Sequence, residues 1–182
     1  MAKIITAAEA ADLIRDGMTL GVSGFGAFAS PDYVMEAMSR KFKEQNTPRD
    51  LTIVSGVAPG DFVEDGCGLS KIKDEGIIKT LIASHLRMSP AIGRACSENK
   101  IAAFSMPLGV YGQLMNAIGS KRPGIITHVG LNTYADPRQD GCKMNALAKA
   151  DGRELVELIH VSGKDYLFYK AFHIDACILH AS

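Results

Sequence analysis

Short apolar runs alternate with helix-patterned segments along most of this chain, and that alternation restricts the fold more than any other feature. Met18 to Val22, Leu51-Thr52-Ile53-Val54, Ile77 to Ala83 and Ile101 to Phe104 are β-branched or apolar runs too short for helices. Between them lie segments with helical start signals. Strands that take turns with helices predict an α/β fold with an open, largely parallel sheet and flanking helices.

The start signals are specific. Thr6-Ala7-Ala8-Glu9 is a capping box, in which threonine and glutamate reciprocally satisfy amides at a helix start. The helix it opens places Ala10, Leu13 and Ile14 on one face and ends near Asp16-Gly17. Ser30-Pro31 and Ser89-Pro90 each read as an N-cap followed by proline at the first helical position. Tyr33, Val34, Ala37, Met38 and Phe42 form the apolar face of the second helix, and the third runs to about Glu98. A fourth spans Val110 to about Ile118. Beyond it the pattern changes. Glu154 to Val161 and Tyr166 to Phe172, joined through Ser162-Gly163-Lys164-Asp165, read as a β-hairpin. Ile174 to Leu179 reads as a buried strand, a kind that usually leads on through a crossover, so the end at Ser182 is abrupt.

Composition excludes several functions. At 182 residues there is material for one domain with a full core. Twenty basic and twenty acidic residues cancel, and the densest basic patch, Ser39 to Lys43, falls at the polar end of a helix. Nucleic acid needs a basic footprint and is disfavoured as a partner. Cys67, Cys96, Cys142 and Cys177 are too scattered for a disulfide framework or a zinc knuckle. The five histidines, His85, His128, His160, His173 and His180, show no ligand spacing, so no metal is expected. No run approaches the ~20 apolar residues of a membrane span, and the start lacks a signal core. These absences point to a reduced, cytoplasmic compartment.

The segment richest in chemistry is Gly21-Val22-Ser23-Gly24-Phe25-Gly26-Ala27-Phe28-Ala29-Ser30-Pro31, where a strand feeds a glycine turn that opens a helix. Such a turn lets backbone amides approach a ligand, and a helix N-terminus favours negative charge. Gly24 to Ala29 matches G-x-G-x-x-[GA] by spacing. The acidic residue that should follow the second strand is missing, because Val54 leads to Ser55-Gly56, and Phe28 is bulky for a tight turn. Nicotinamide binding and a purely structural turn both remain open on spacing alone.

Longer segments resemble a known family. The glycine turn is similar to the G-G-F-x-x-x-G-x-P turn of family I CoA-transferases, with Ser23 and Ala29 in place of two glycines and Phe25 and Pro31 kept. Pro48-Arg49-Asp50-Leu51-Thr52 resembles the family's approach to the second strand. Asp74-Glu75-Gly76-Ile77-Ile78-Lys79 resembles its E-G-hydrophobic-hydrophobic-K segment, with His85 following. Pro107-Leu108-Gly109-Val110 stands where many members carry P-Q-G-hydrophobic. Arg122 to Arg138, ending in Asp136-Pro137-Arg138, resembles the G-x-x-T-x-x-G-x-x-T-x-x-D-P-R block of propionate/acetate-type enzymes, continuing through Gly141 and Asn145. Asp165 to Lys170 resembles the tail of the same half.

The resemblance implies that residues 1–182 are a single α/β domain, the amino-terminal half of a two-half enzyme, with the glutamate-bearing half absent. Such enzymes move CoA from a short-chain acyl-CoA to a carboxylate such as acetate, through a glutamyl-CoA thioester. They hold no permanent cofactor, and CoA is a substrate. No catalytic residue is expected here, since Glu64, Glu98, Glu154 and Glu157 read as surface or strand-edge charge. Gly24, Phe25, Gly26, Leu108 and Gly109 are the candidate substrate and CoA contacts, at carboxyl ends of parallel strands. Leucine cannot donate the hydrogen bond that glutamine makes at position 108, so a backbone amide would have to take over, or activity would differ. Asp136-Pro137-Arg138 is expected to be a structural ion-paired turn. A catalytically silent acyl-CoA-binding or partner-binding domain is the alternative. The second half, fused or separate, is the expected partner, and exposed apolar surface predicts a homo- or hetero-oligomer.

Overall fold

The computed structural model describes residues 3–181. Five strands, β1 (Thr19–Val22), β2 (Leu51–Val54), β3 (Ile78–Ala83), β4 (Ala102–Ser105) and β8 (Ala176–Ile178), form an all-parallel sheet in the order β4-β3-β2-β1-β8. A smaller antiparallel sheet, β5 (Gly124–Thr127), β6 (Val156–Val161) and β7 (Lys164–Lys170), is ordered β5-β7-β6. The expected α/β architecture is therefore present.

The strands are apolar at consecutive positions because both faces are covered. Leu20, Ile53, Leu81 and Ala103 face a core built with α1 (Ala7–Leu13), α2 (Asp32–Gln45) and α3 (Pro90–Ser97). Val54, Ile82, Ala102 and Phe104 face a second core with α4 (Leu108–Gly119), α5 (Ala146–Ala150) and the small sheet. Each fully buried Leu or Ile contributes about 2 kcal/mol relative to exposure. The β4 edge is not left open: Ser105 N donates to Cys142 O, Met144 N to Ala103 O, and Ala103 N to Asn145 Oδ1. Asn145 also donates to Cys96 O and Ile101 O, so its side chain joins the Cys142 and Met144 backbone in closing that edge.

Several local expectations need correction. The capping box is as expected, with Thr6 N on Glu9 Oε2 at 2.8 Å and Glu9 N on Thr6 Oγ1 at 3.2 Å. The helix, however, ends at Leu13 and buries Ala7 and Ala11, leaving Leu13 65% exposed. Small residues let α1 and α2 approach closely, so size overrode hydrophobicity. In α2 the N-cap is Pro31, not Ser30, because Ala29 at φ 53 turns the chain one residue late. The buried face is Met35, Ala37 and Met38, while Tyr33 is exposed. Ser89 does cap α3 by position, but its hydroxyl bonds Ser70 Oγ at 2.8 Å rather than the helix.

The hairpin turn is tighter than read. Ser162 at φ 51 and Gly163 at φ 77 form a two-residue turn with both residues left-handed, which matches strand twist. The last strand is shorter and less buried than expected. β8 is a half-exposed edge strand that, among the described residues, pairs only with β1, anchored by Thr19 N donating to Asp175 Oδ2 at 2.7 Å. Among the described residues no helix is long and apolar enough to cross a membrane.

Asp136-Pro137-Arg138 is an ion-paired turn, as expected, with its carboxylate buried and its arginine exposed. The Asp136 carboxylate accepts from Asn132 N (2.9 Å), Arg138 N (2.9 Å), Nε (3.0 Å) and Nη2 (2.7 Å). Arg138 reaches on to Asp165 Oδ2 at 3.2 Å, tying the turn to the hairpin. The Arg138 guanidinium, then the amides, hold the Asp136 carboxyl far below the usual carboxylate range.

Candidate active site

The carboxyl ends of the parallel strands share a feature. β1, β2 and β3 are each followed by a serine, Ser23, Ser55 and Ser84, and β4 ends in Ser105. Each hydroxyl donates to a backbone carbonyl. Ser23 Oγ bonds Ala29 O (2.8 Å), Ser55 Oγ bonds Val22 O (2.9 Å), and Ser105 Oγ bonds Ser84 O (3.2 Å). Ser84 Oγ bonds Gly56 O, which also accepts from Ser84 N at 3.1 Å. The rim is thus stitched laterally from β4 to β1, and its hydroxyl protons are already in use.

The glycine turn is a tiny hairpin. Phe25 N and Phe28 O, and Phe28 N and Phe25 O, pair at 3.0 and 3.1 Å. Gly24 adopts φ 126 and Gly26 φ 60, left-handed geometry that favours glycine. A Cβ on Gly24 would lie 2.9 Å from Pro59 Cβ, and Gly60 N donates to Gly26 O at 3.0 Å. Phe25 and Phe28 are exposed, Phe28 at 81%. Because α2 starts only at Asp32, this hairpin separates the glycines from the helix N-terminus. The dinucleotide fingerprint requires them adjacent, so that spacing match has no structural counterpart.

Leu108 and Gly109 are the first two residues of α4, just beyond the end of β4. Pro107 occupies the N-cap and offers no side-chain cap, and Tyr111 N takes Pro107 O at 2.9 Å. The amides of Leu108, Gly109 and Val110 thus have no partner within the helix. Leu108 is half exposed, and a Cβ on Gly109 would meet nothing within 4 Å.

The two candidate sets flank one loop, Ser55 to Gly60. Its far end touches Gly24 and Gly26 through Pro59 and Gly60. At its near end, a Cβ on Gly56 would lie 3.3 Å from Tyr111 Cε1 and 3.6 Å from Leu108 Cδ1. Gly56, Pro59, Gly60 and Tyr111 are the residues sequence reasoning missed. The repeated serine behind each apolar run was the signal that marked the rim. The four glutamates sit elsewhere, each partly exposed and paired: Glu64 with Arg94, Glu98 with Lys100, Glu154 with Lys143, Glu157 with Lys170.

Beside the rim, a cleft of about 790 Å³ runs from Ser84, His85 and Ser105 along β4 between α3 and Met144-Asn145-Ala146. Arg87 and Arg94 line it, with no carboxylate in the lining. Arg87 makes no ion pair among the described residues.

A parallel sheet with a serine-stitched rim, and candidate contacts gathered at its strand ends, defines an α/β protein. Comparison with known proteins then places it. The family model for coenzyme A transferase matches residues 4–182, and the chain belongs to that family. It is 42% identical over 179 residues to caffeate CoA-transferase of Acetobacterium woodii, covering 98% of this chain and 33% of that one. The crystal structure of an acyl-CoA transferase (YdiF) from Escherichia coli O157:H7, a thioester complex with CoA, superposes with TM-score 0.89 at 35% identity. It covers 96% of this chain and 33% of that one. The acetate CoA-transferase subunit alpha of Escherichia coli (strain K12) is 25% identical over 98% of this chain and 70% of its own. The chain thus spans about a third of the longer relatives and most of a separate subunit.

Proposed function

We propose that this chain is the part of a CoA-transferase that faces the reacting thioester, with the nucleophilic glutamate supplied by a further part of the enzyme. The observation that carries the reading is that the glycine turn and the first turn of α4 both meet the Ser55–Gly60 loop, the latter through the Leu108 and Tyr111 side chains. The first amides of α4 have no partner within the helix, and donors of this kind stabilise an acyl oxygen as charge develops on it. In the first step a glutamate carboxylate oxygen attacks the thioester carbonyl carbon, whose π pair moves onto oxygen. Collapse expels CoA thiolate. The thiolate then attacks the glutamyl carbonyl, the acyl carboxylate departs, and glutamyl-CoA remains to react with the acceptor acid. No net proton is gained or lost. Gly24, Phe25, Gly26, Leu108 and Gly109 form the facing wall, and the cleft with Arg87 suits the phosphorylated end of CoA.

Acetate and propionate are the acids we assign. We assign a cytoplasmic oligomer completed by a second half, and the exposed phenylalanines of the turn support the association. Leu108, which has no side-chain donor, favours a second reading: a silent acyl-CoA-binding domain.

Incubating the chain together with its second half, fused or separate, with propionyl-CoA and acetate separates the two. CoA exchange, together with a CoA adduct on a glutamate outside residues 1–182, is the expected result. Saturable binding without exchange would favour the silent domain. Turnover by residues 1–182 alone, surviving replacement of every glutamate, would sink the transferase reading.

A further inference from the structure

The rim holds many hydroxyls, yet nearly all are engaged. Ser23, Ser55, Ser84 and Ser105 donate to carbonyls, as described above. Ser30 Oγ lacks a partner, but its oxygen is sealed from solvent and cannot reach a substrate. Tyr111 differs from all of these. Its side chain makes no hydrogen bond among the described residues, and its oxygen is not among the sealed ones.

Its placement is set by two simple facts. Tyr111 stands three residues after Leu108 on α4, so the two side chains share a helix face. Gly56 has no side chain, and both Tyr111 and Leu108 lie over the space a Cβ would take. Tyr111 therefore stands beside Leu108 at the near end of the Ser55–Gly60 loop, with its ring 3.3 Å from the place of a Gly56 Cβ. Burial of the ring, and then the nearby Cys177, push the phenol pKa up, so the group stays protonated as a donor at neutral pH.

We infer that Tyr111 contacts the bound thioester and donates its phenol hydrogen bond to the acyl oxygen, supplying the side-chain donation that Leu108 cannot. The inference rests on the transferase reading. The proton stays on the phenol throughout, and the bond strengthens as the carbonyl oxygen gains negative charge. A side-chain donor missing from one position of the α4 face is thereby present one turn further on.

The test uses the full-length protein and four forms: unsubstituted, Tyr111→Phe, Leu108→Gln and the double variant. Phenylalanine keeps the ring over Gly56 and removes only the hydroxyl. Expected is a roughly 100- to 1,000-fold fall in kcat with KM changed less than about twofold, as for loss of one oxyanion donor. Glutamine at 108 in the Tyr111→Phe background should recover at least about tenfold of the loss, because it restores a donor on the same face. A melting temperature unchanged by Tyr111→Phe shows that packing is intact. An unchanged kcat in Tyr111→Phe overturns the inference and leaves the transferase reading standing. So does a loss that tracks a lowered melting temperature and that Leu108→Gln fails to repair. An unsubstituted protein that exchanges no CoA overturns both.

Discussion

Gly68→Ala should abolish stable folding, or lower stability by more than about 3 kcal/mol if the protein is recovered at all. At φ +69, glycine avoids a left-handed strain that alanine must bear, on the order of 1 kcal/mol. The larger part is overlap. An added Cβ would sit 2.1 Å from Pro59 O, 2.4 Å from Pro59 C and 2.9 Å from Gly60 N, all backbone atoms that no rotamer change can move. Gly68 N also donates to Asp32 Oδ1 at 3.0 Å, and Leu69 N to Pro59 O at 2.9 Å. Displacing Pro59 would break its link to Leu69 and pull Gly60 from Gly26, so the candidate site would suffer along with the fold. Gly152→Ala is the control, because it shares a positive φ of 77 but meets nothing within 4 Å. Chemical denaturation of the two should differ by more than about 2 kcal/mol; equal losses would mean the Pro59 contact costs nothing.

Asp136→Ala is the second large effect. The side chain is buried, and its two oxygens gather four N–H donors from Asn132 and Arg138. Removal strands the Asn132 and Arg138 amides and leaves the guanidinium with only Asp165. A cost of about 3 kcal/mol follows, or a fall in Tm of roughly 6–12 °C for a chain of this size. The pH dependence has a definite sign. The folded pKa of Asp136 lies below that of an unfolded aspartate, about 3.9, so its contribution is complete above that value. It drains away as pH falls from there down through the folded pKa. The gap between the unsubstituted protein and Asp136→Ala should therefore be constant from pH 6 to 8, on the order of 3 kcal/mol, and narrow below about pH 4. A gap that widens in acid would contradict the ion-paired turn.

Much of the sheet was legible because both faces of β1 to β4 are largely buried, which turns each strand into a mostly apolar run broken only by residues such as Thr52, Lys79 and Thr80. β5 was not. Gly124-Ile125-Ile126-Thr127 is only partly covered and begins at a glycine with φ 154, so neither alternation nor a buried run marks it. α5 is five residues long, too short for helical periodicity, and only Asn145 signals its start by accepting from Ala148 N. Helix faces were misread where small residues mattered more than large ones, as in Ala7 and Ala11. The candidate residues Gly24, Gly26 and Leu108 could be named from resemblance. Their common neighbour, the Ser55–Gly60 loop, could not, since it depends on which strands are adjacent. Tyr111 was invisible for the same reason, because an ordinary aromatic on a helix gains its meaning only from the glycine beneath it.

The two borders of the parallel sheet are not equivalent. Along β4 the backbone groups of Ala103 and Ser105 are already spoken for by Cys142, Met144 and Asn145. Along β8 the outward groups of Ala176–Ile178 meet no strand among the described residues. Extension of the sheet is therefore directional: a new strand, from this polypeptide or another, finds a template on one border and a barrier on the other. Within the parallel sheet, unwanted self-pairing has the same port of access, so its control there comes down to three residues.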